Sequence, residues 1–287
     1  MARSTVRRLR LDAELVRRGL ARSREQAAEL IAQGRVTVGG VVATKPATGV
    51  ETAAAVVVRD DVDDPGWASR GAGKLLGALA AFGPQGLAVD GRRCLDAGAS
   101  TGGFTDVLLR RGAREVVAVD VGYGQLVWAL RTDPRVVVHD RVNVRALTAQ
   151  DIGGPVDLVV ADLSFISLGL VLDALVSCTV PGGDVVPMVK PQFEVGRDRL
   201  GSGGVVRDPA LRASAVLDVV GAARARGLVL RDVVASPLPG PSGNVEYFCW
   251  LRRADATDAG PERGDTADTA DTDDAALVRR AVERGPA

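Results

Sequence analysis

The sequence predicts an α/β chain: a mostly parallel sheet of seven strands with helices on both faces, behind a small N-terminal α+β module. Three observations carry this. From Lys74 onward, short β-rich runs alternate with helical stretches. Those runs are apolar throughout, not at every second residue, as strands covered on both faces require. The last two runs have no helix between them, so a β–β pair ends the sheet.

The N-terminal module comes first. Leu11, Leu15 and Val16 mark a short helix. Ser23 opens a second with Gln26 at the third position, a capping box, and Ala27, Ala28, Leu30 and Ile31 supply its apolar face. After Gly34 the period changes to two: Val36 and Val38, a Gly39-Gly40 turn, then Val41. The segment Leu9 to Lys45 resembles an S4-like RNA-binding module. The matching text is Arg10-Leu11-Asp12, Ala21-Arg22-Ser23-Arg24, Ile31-Ala32-Gln33-Gly34-Arg35-Val36 and Val38-Gly39-Gly40. The resemblance implies that Arg10, Arg22, Arg24 and Arg35 hold phosphates, which gives affinity and position but little sequence information. The bland alternative is a basic helical hairpin that carries only solvent.

Residues 1–60 are assigned to this module and 61–68 to a linker, because Asp60 to Gly66 is acidic and contains Pro and Gly. Residues 69–253 form the sheet domain, with strands expected at Arg93–Ala97, Val116–Val119, Val136–Val138, Leu158–Ala161, Val185–Val189, Val229–Val234 and Val245–Leu251. The acidic tail, 254–287, carries Asp-Thr-Ala-Asp repeats and is expected to lack order, although Ala275 to Arg284 could form a short helix.

Bulk properties narrow the function. No apolar run reaches the roughly 18 residues of a membrane span, and no apolar signal region follows the basic N-terminus. The three cysteines, Cys94, Cys178 and Cys249, are far apart and read as reduced, buried residues of a cytoplasmic protein without a metal site. Zero net charge hides an asymmetry: residues 1–50 hold ten Arg or Lys against four Asp or Glu, while residues 254–274 hold eight acids and one Arg. A basic head suits a polyanion and an acidic tail suits water. Of 36 basic residues only Lys45, Lys74 and Lys190 are lysine. A position that stays Lys in so Arg-rich a chain points to what Arg cannot do, which is lose its proton.

The text from Leu95 through Gly98-Ala99-Ser100-Thr101-Gly102-Gly103-Phe104-Thr105 follows the first sheet strand and opens a helix. Its glycines let backbone approach a ligand, and the helix start offers free N–H groups to an anionic group. Asp120 ends the next strand, where a carboxylate could hold two ribose hydroxyls; Asp140 and Asn143 are candidates for adenine, with a turn role open for Asn143. Ser100 stands where a dinucleotide fingerprint wants glycine. The loop, the spaced acid and the terminal β–β pair resemble the Rossmann-like S-adenosylmethionine-dependent methyltransferase fold. That resemblance implies S-adenosylmethionine as cofactor, held by Gly98, Ser100, Thr101, Gly102, Gly103, Phe104, Asp120, Asn143 and Asp162.

Lys74, Asp162, Lys190 and Glu246 stand in the order and context of the Lys-Asp-Lys-Glu tetrad of FtsJ-like ribose methyltransferases, which this stretch resembles. The resemblance makes Lys190 the general base, aided by burial and the nearby cation of Lys74, with Asp162 orienting its amine near the methyl donor. Lys74 and Glu246 would position the ribose. The stretch after Asp162 lacks the prolines of amino-nitrogen methyltransferases, and no cysteine sits as a carbon-methylating nucleophile would. Beyond Lys190, Phe193 is available to stack on a base and Arg197 to grip RNA.

S4-like head, FtsJ-like body and the text Val189-Lys190-Pro191-Gln192-Phe193-Glu194 together resemble the TlyA family over roughly residues 5–253. The resemblance implies 2′-O-methylation of cytidine ribose in 16S and/or 23S rRNA, with ribosomal RNA or subunits as partner. Two alternatives stay open: a non-catalytic ribosome-binding or assembly factor, and the membrane-active haemolysin that the family has also been labelled.

Overall fold

The computed structural model describes residues 8–21, 23–58, 66–196, 199–240, 243–255 and 266–285. Arg22 and Arg197, two of the expected RNA contacts, lie outside them. The chain divides into two compact units, residues 1–66 and 67–287.

The first unit runs β1 (Arg8–Arg10), α1 (Leu11–Arg17), α2 (Arg24–Ala32), β2 (Val36–Val38), β3 (Val41–Val42), β4 (Gly49–Glu51) and β5 (Val56–Val58). Ser23 Oγ accepts from Gln26 N at 3.1 Å, so the expected N-cap forms. Gly39 and Gly40 both turn at positive φ, +56° and +84°, which a tight hairpin between β2 and β3 requires. Leu11, Leu15, Ala27, Ile31, Val36 and Val50 close a small core. Beneath it Glu14 is fully buried, and hydrogen bonds from Arg17 and Arg18 hold its carboxyl down at about 2. Three short strands go beyond the expected hairpin: β1 pairs with β4, and β5 joins β2. At three residues each they are too short for a period of two to be visible.

The second unit runs α3 (Gly71–Phe82), β6 (Arg93–Ala97), α4 (Gly103–Arg110), β7 (Glu115–Asp120), α5 (Trp128–Arg131), β8 (Val136–Asp140), β9 (Val156–Ala161), α6 (Leu172–Ser177), β10 (Thr179–Val189), α7 (Pro191–Glu194), α8 (Pro209–Arg224), β11 (Leu228–Ala235), β12 (Tyr247–Arg253) and α9 (Thr266–Arg284). Its seven strands form one sheet in the order β11-β12-β10-β9-β6-β7-β8, in which β12 alone runs opposite to the rest. Neighbouring residues of each strand feed opposite layers. Leu95, Val117 and Val159 pack toward α6, α8 and α9, while Cys94, Val116 and Leu158 pack toward α3 and α4. The three cysteines are buried free thiols.

All seven expected strands are present. β10 begins at Thr179, well before Val185, across an irregularity before Asp184 where Pro181, Gly182 and Gly183 hide the strand signal. The segment expected to link the units is shorter at its C-terminal end. Trp67 lies under the Arg110 guanidinium, 4.2 Å away, and Ala68 N donates to Asp106 at 2.9 Å, so both belong to the second unit.

The expectation of a tail without order needs correcting over residues 266–285. α9 covers nineteen residues, far more than the short helix expected from Ala275. Val278 and Ala281 are buried in the core, and Arg280 and Asp274 reach Asp232 and Arg224. The acidic repeat masks a helix because its stabilisation comes from this packing and not from composition. Among the described residues no helix is long and apolar enough to cross a membrane, and no cluster of three His, Cys, Asp or Glu could hold a metal ion.

Candidate active site

The sheet order reverses at β6, whose neighbours are β7 and β9, and the crevice at the carboxyl ends of these strands is where such sheets bind ligands. The loop from Gly98 to Gly102 lies there. Gly98 turns at φ +88°, and a Cβ at this position would fall 2.7 Å from the Asp162 carbonyl oxygen, so only glycine fits. Ser100 is exposed and held at φ +47°, its N–H donating to Asp120 Oδ2 at 2.8 Å. Asp120 Oδ1 accepts from Gly122 N at 2.6 Å. Thr101 is half-buried beside it.

Not every expected cofactor residue faces the crevice. Phe104 is buried in the core with its ring centroid 5.9 Å from that of Phe248, a packing residue placed by the apolar stripe of α4. Gly102 and Gly103 are required by the chain's own packing. A Cβ on the first would strike Leu130 and Leu126, and one on the second would strike Ser69. Asn143 Oδ1 caps the turn at Val144–Ala146 by accepting from Arg145 N at 3.0 Å, the turn role left open for it.

One carboxylate that the motif contains but residue-by-residue reading missed is Asp96. It is fully buried, accepts from Thr105 Oγ1 at 2.7 Å through Oδ2, and has no partner for Oδ1. Burial, with Asp162 and Asp120 nearby, pushes its carboxyl up to about 7.

The tetrad gathers along the same edge. Asp162 directly follows β9 and Lys190 directly follows β10. Glu246 precedes β12, and the Val189–Tyr247 pairing brings it level with Lys190. Lys74 rides the buried face of α3, which packs closely on the segment leading to β12: Cβ atoms at Gly73 and Gly77 would meet Leu238 and Pro237 within 2.9 Å and 2.6 Å. Lys74 Nζ donates to Glu246 Oε2 at 2.5 Å, both side chains being almost wholly buried, and Glu246 Oε1 is left without a hydrogen bond. Lys190 Nζ lies 2.6 Å from Asp162 Oδ1 and donates to Ser164 Oγ at 2.8 Å. Each lysine therefore has a carboxylate of its own.

An FtsJ-like methyltransferase family model matches residues 67–253, and an S4 domain model matches residues 9–56. The chain is 65% identical over 247 residues, 86% of its length and 90% of the relative's, to the 16S/23S rRNA (cytidine-2′-O)-methyltransferase TlyA of Mycobacterium tuberculosis. The chain belongs to the TlyA family. Another relative, Hemolysin A of Brachyspira hyodysenteriae, is 34% identical over 84% of this chain and 98% of its own. A solved structure from Streptococcus thermophilus, provisionally labelled a hemolysin, covers 97% of both chains at 35% identity with a TM-score of 0.72. This chain therefore joins an S4 domain to an FtsJ-like methyltransferase domain.

In this TlyA-family chain the expected RNA contacts are dispersed. Arg10 and Arg24 each donate to Asp12 Oδ2 at 2.9 Å while staying more than half exposed. Arg35 reaches Gln33 Oε1. Phe193 packs at a tilt against Phe165, centroids 5.3 Å apart, and Phe165 is 91% exposed. Sequence reading passed over Phe165, although it stands three residues beyond Asp162 in the stretch inspected for prolines.

Proposed function

We propose that this TlyA-family enzyme transfers a methyl group from S-adenosylmethionine to a cytidine 2′-hydroxyl of 16S and/or 23S rRNA, acting on ribosomal RNA or subunits in the cytoplasm. The observation that carries the reading is the pairing of Lys190 with Asp162 and of Lys74 with Glu246 along one edge of the sheet, beside the Gly98 loop.

The loop suits the cofactor. Gly98 lets the loop close on the Asp162 carbonyl, and the carboxylates of Asp120 and Asp162 make the setting negative for a sulfonium. Gly98, Ser100, Thr101, Asp120 and Asp162 would hold it. S-adenosylmethionine supplies an electrophilic methyl group.

The chain's own residues supply a proton acceptor and alignment. A ribose hydroxyl must give up its proton as it attacks, and Lys190 Nζ is the buried amine at hand. The carboxylate of Asp162 stabilises the ammonium that forms. Lys74 and the unpartnered Oε1 of Glu246 offer one donor site and one acceptor site to orient the ribose. Exposed Phe165, with Phe193 beneath it, offers a base a stacking face, and the S4 arginines hold phosphates.

The test is methyl transfer from labelled S-adenosylmethionine to purified 30S and 50S subunits, with wild type beside Lys190→Arg. Arginine keeps the charge but cannot take the proton. Label mapping to a cytidine ribose with wild type, and falling by about 10²–10⁴-fold in the variant, is the expected result. Equal transfer by both proteins removes Lys190 from the role of base. Subunit binding with no transfer by either favours a non-catalytic ribosome binder.

A further inference from the structure

Lys190 has two neighbours of different kinds. Asp162 Oδ1 is close, at 2.6 Å, but makes no contact of hydrogen-bond geometry, so it supplies charge without direction. The directional bond of Lys190 Nζ goes to Ser164 Oγ at 2.8 Å. We propose that Ser164 is a positioning residue for methyl transfer, aiming the Lys190 amine; this deepens the reading of Lys190 as general base and rests on it.

The physical reason lies in the shape of an amine. Neutral Lys190 has two N–H bonds and one lone pair, and the terminal group of a lysine rotates freely when nothing holds it. An electrostatic neighbour fixes where the nitrogen sits but not how it turns. A hydrogen bond to Ser164 fixes the turn, and the lone pair then occupies one of the remaining tetrahedral directions instead of all of them. A base held in line with its proton gains rate because misaligned orientations contribute nothing.

The backbone around Ser164 is built to hold that hydroxyl still. Phe165, the next residue, adopts a left-handed φ of +64°, a conformation a phenylalanine takes only when its surroundings impose it. Those surroundings are ties to the turn that follows Lys190. Glu194 Oε2 accepts from Ser167 Oγ at 2.6 Å, and Glu194 Oε1 accepts from Leu168 N at 2.9 Å. The rings of Phe165 and Phe193 meet at a tilt across the same gap. The two segments that carry Ser164 and Lys190 are thus fastened to each other on the far side of the bond they share.

The experiment uses the full chain, with ribosomal subunits and S-adenosylmethionine as substrates, and compares Ser164→Ala, Ser164→Thr and Lys190→Arg with wild type. For Ser164→Ala the expected result is a kcat reduced about 10–100-fold, with KM for both substrates and the melting temperature unchanged. Ser164→Thr, which keeps the hydroxyl, restores most of the rate. Wild-type kcat in Ser164→Ala overturns the proposal. So does a raised KM for the subunits at constant kcat, which makes Ser164 an RNA contact. A fall in kcat together with lost cofactor affinity or a lower melting temperature also overturns it, since the loop has then collapsed. If Lys190→Arg stays active, the base reading itself fails; if it is inactive while Ser164→Ala is normal, only the positioning role fails.

Discussion

Asp96 brings a carboxyl group into the interior of the sheet, where water cannot solvate its charge. Its ordinary value is 3.8 and its folded value about 7, so between these the folded protein binds a proton that the unfolded chain has released. Its contribution to stability is complete below about pH 4 and is lost as pH rises through about 7. Thermal unfolding at pH 5 and pH 8 should show wild type losing more stability across that interval than Asp96→Asn; equal loss in both proteins would remove Asp96 as the cause. The buried pair Lys74–Glu246 gives a second prediction. Lys74→Met leaves Glu246 charged and unpaired, and should cost about 3–5 kcal/mol in denaturant unfolding, whereas Lys74→Met with Glu246→Gln costs clearly less. Lys74 and Lys190 were visible in the sequence because lysine is rare in this chain, with only three among 36 basic residues. Ser164 and Glu194 were not. Serine and glutamate are commonplace, and their partners, Lys190 and Ser167, lie 26 and 27 residues away.

At the scale of elements, α3 is held to the segment before β12 by the absence of side chains. In an exposed helix Gly→Ala gains about 1 kcal/mol. At Gly77 the added Cβ would lie 2.6 Å from Pro237, so Gly77→Ala should instead lower stability by about 1–3 kcal/mol in thermal or denaturant unfolding. A gain would show that the helix can move away from Pro237. The same clash should disturb the Lys74–Glu246 pair, whose two members ride on the packed partners. The sheet strands were legible because buried parallel strands read as unbroken apolar runs. The glycine seats of α3 were not, because their reason is a neighbour some 160 positions away in the chain, and a glycine in a helix ordinarily reads as a weakness.

The whole molecule joins an S4 unit to a methyltransferase unit, each with its own core. Residues 67–287 made alone should bind S-adenosylmethionine as the full chain does. If the arginines of the head contact phosphates as proposed, this fragment should bind subunits more weakly and with a shallower dependence of log affinity on log salt; an unchanged slope would place RNA affinity in the methyltransferase unit. α9 belongs to the stability of that unit. Ending the chain after Asp255 uncovers the flank of β11, an edge strand of the sheet, and should lower the melting temperature and raise aggregation in light scattering. Charge and periodicity suggest a head and a body, and the contacts divide the chain after Gly66, but the tail was misjudged. A helix held by Val278 and Ala281 against a distant strand leaves little trace in an Asp-Thr-Ala-Asp repeat.

The two site lysines, Lys74 and Lys190, are each 6% exposed, while Lys45 is open to solvent on the S4 head. Amine-reactive reagents will therefore see one lysine in the folded enzyme, and see it on the S4 unit. Acylation of Lys45 becomes a footprint for subunit docking, free of background from other lysines, and any labelling of Lys74 or Lys190 reports that the catalytic cleft has opened.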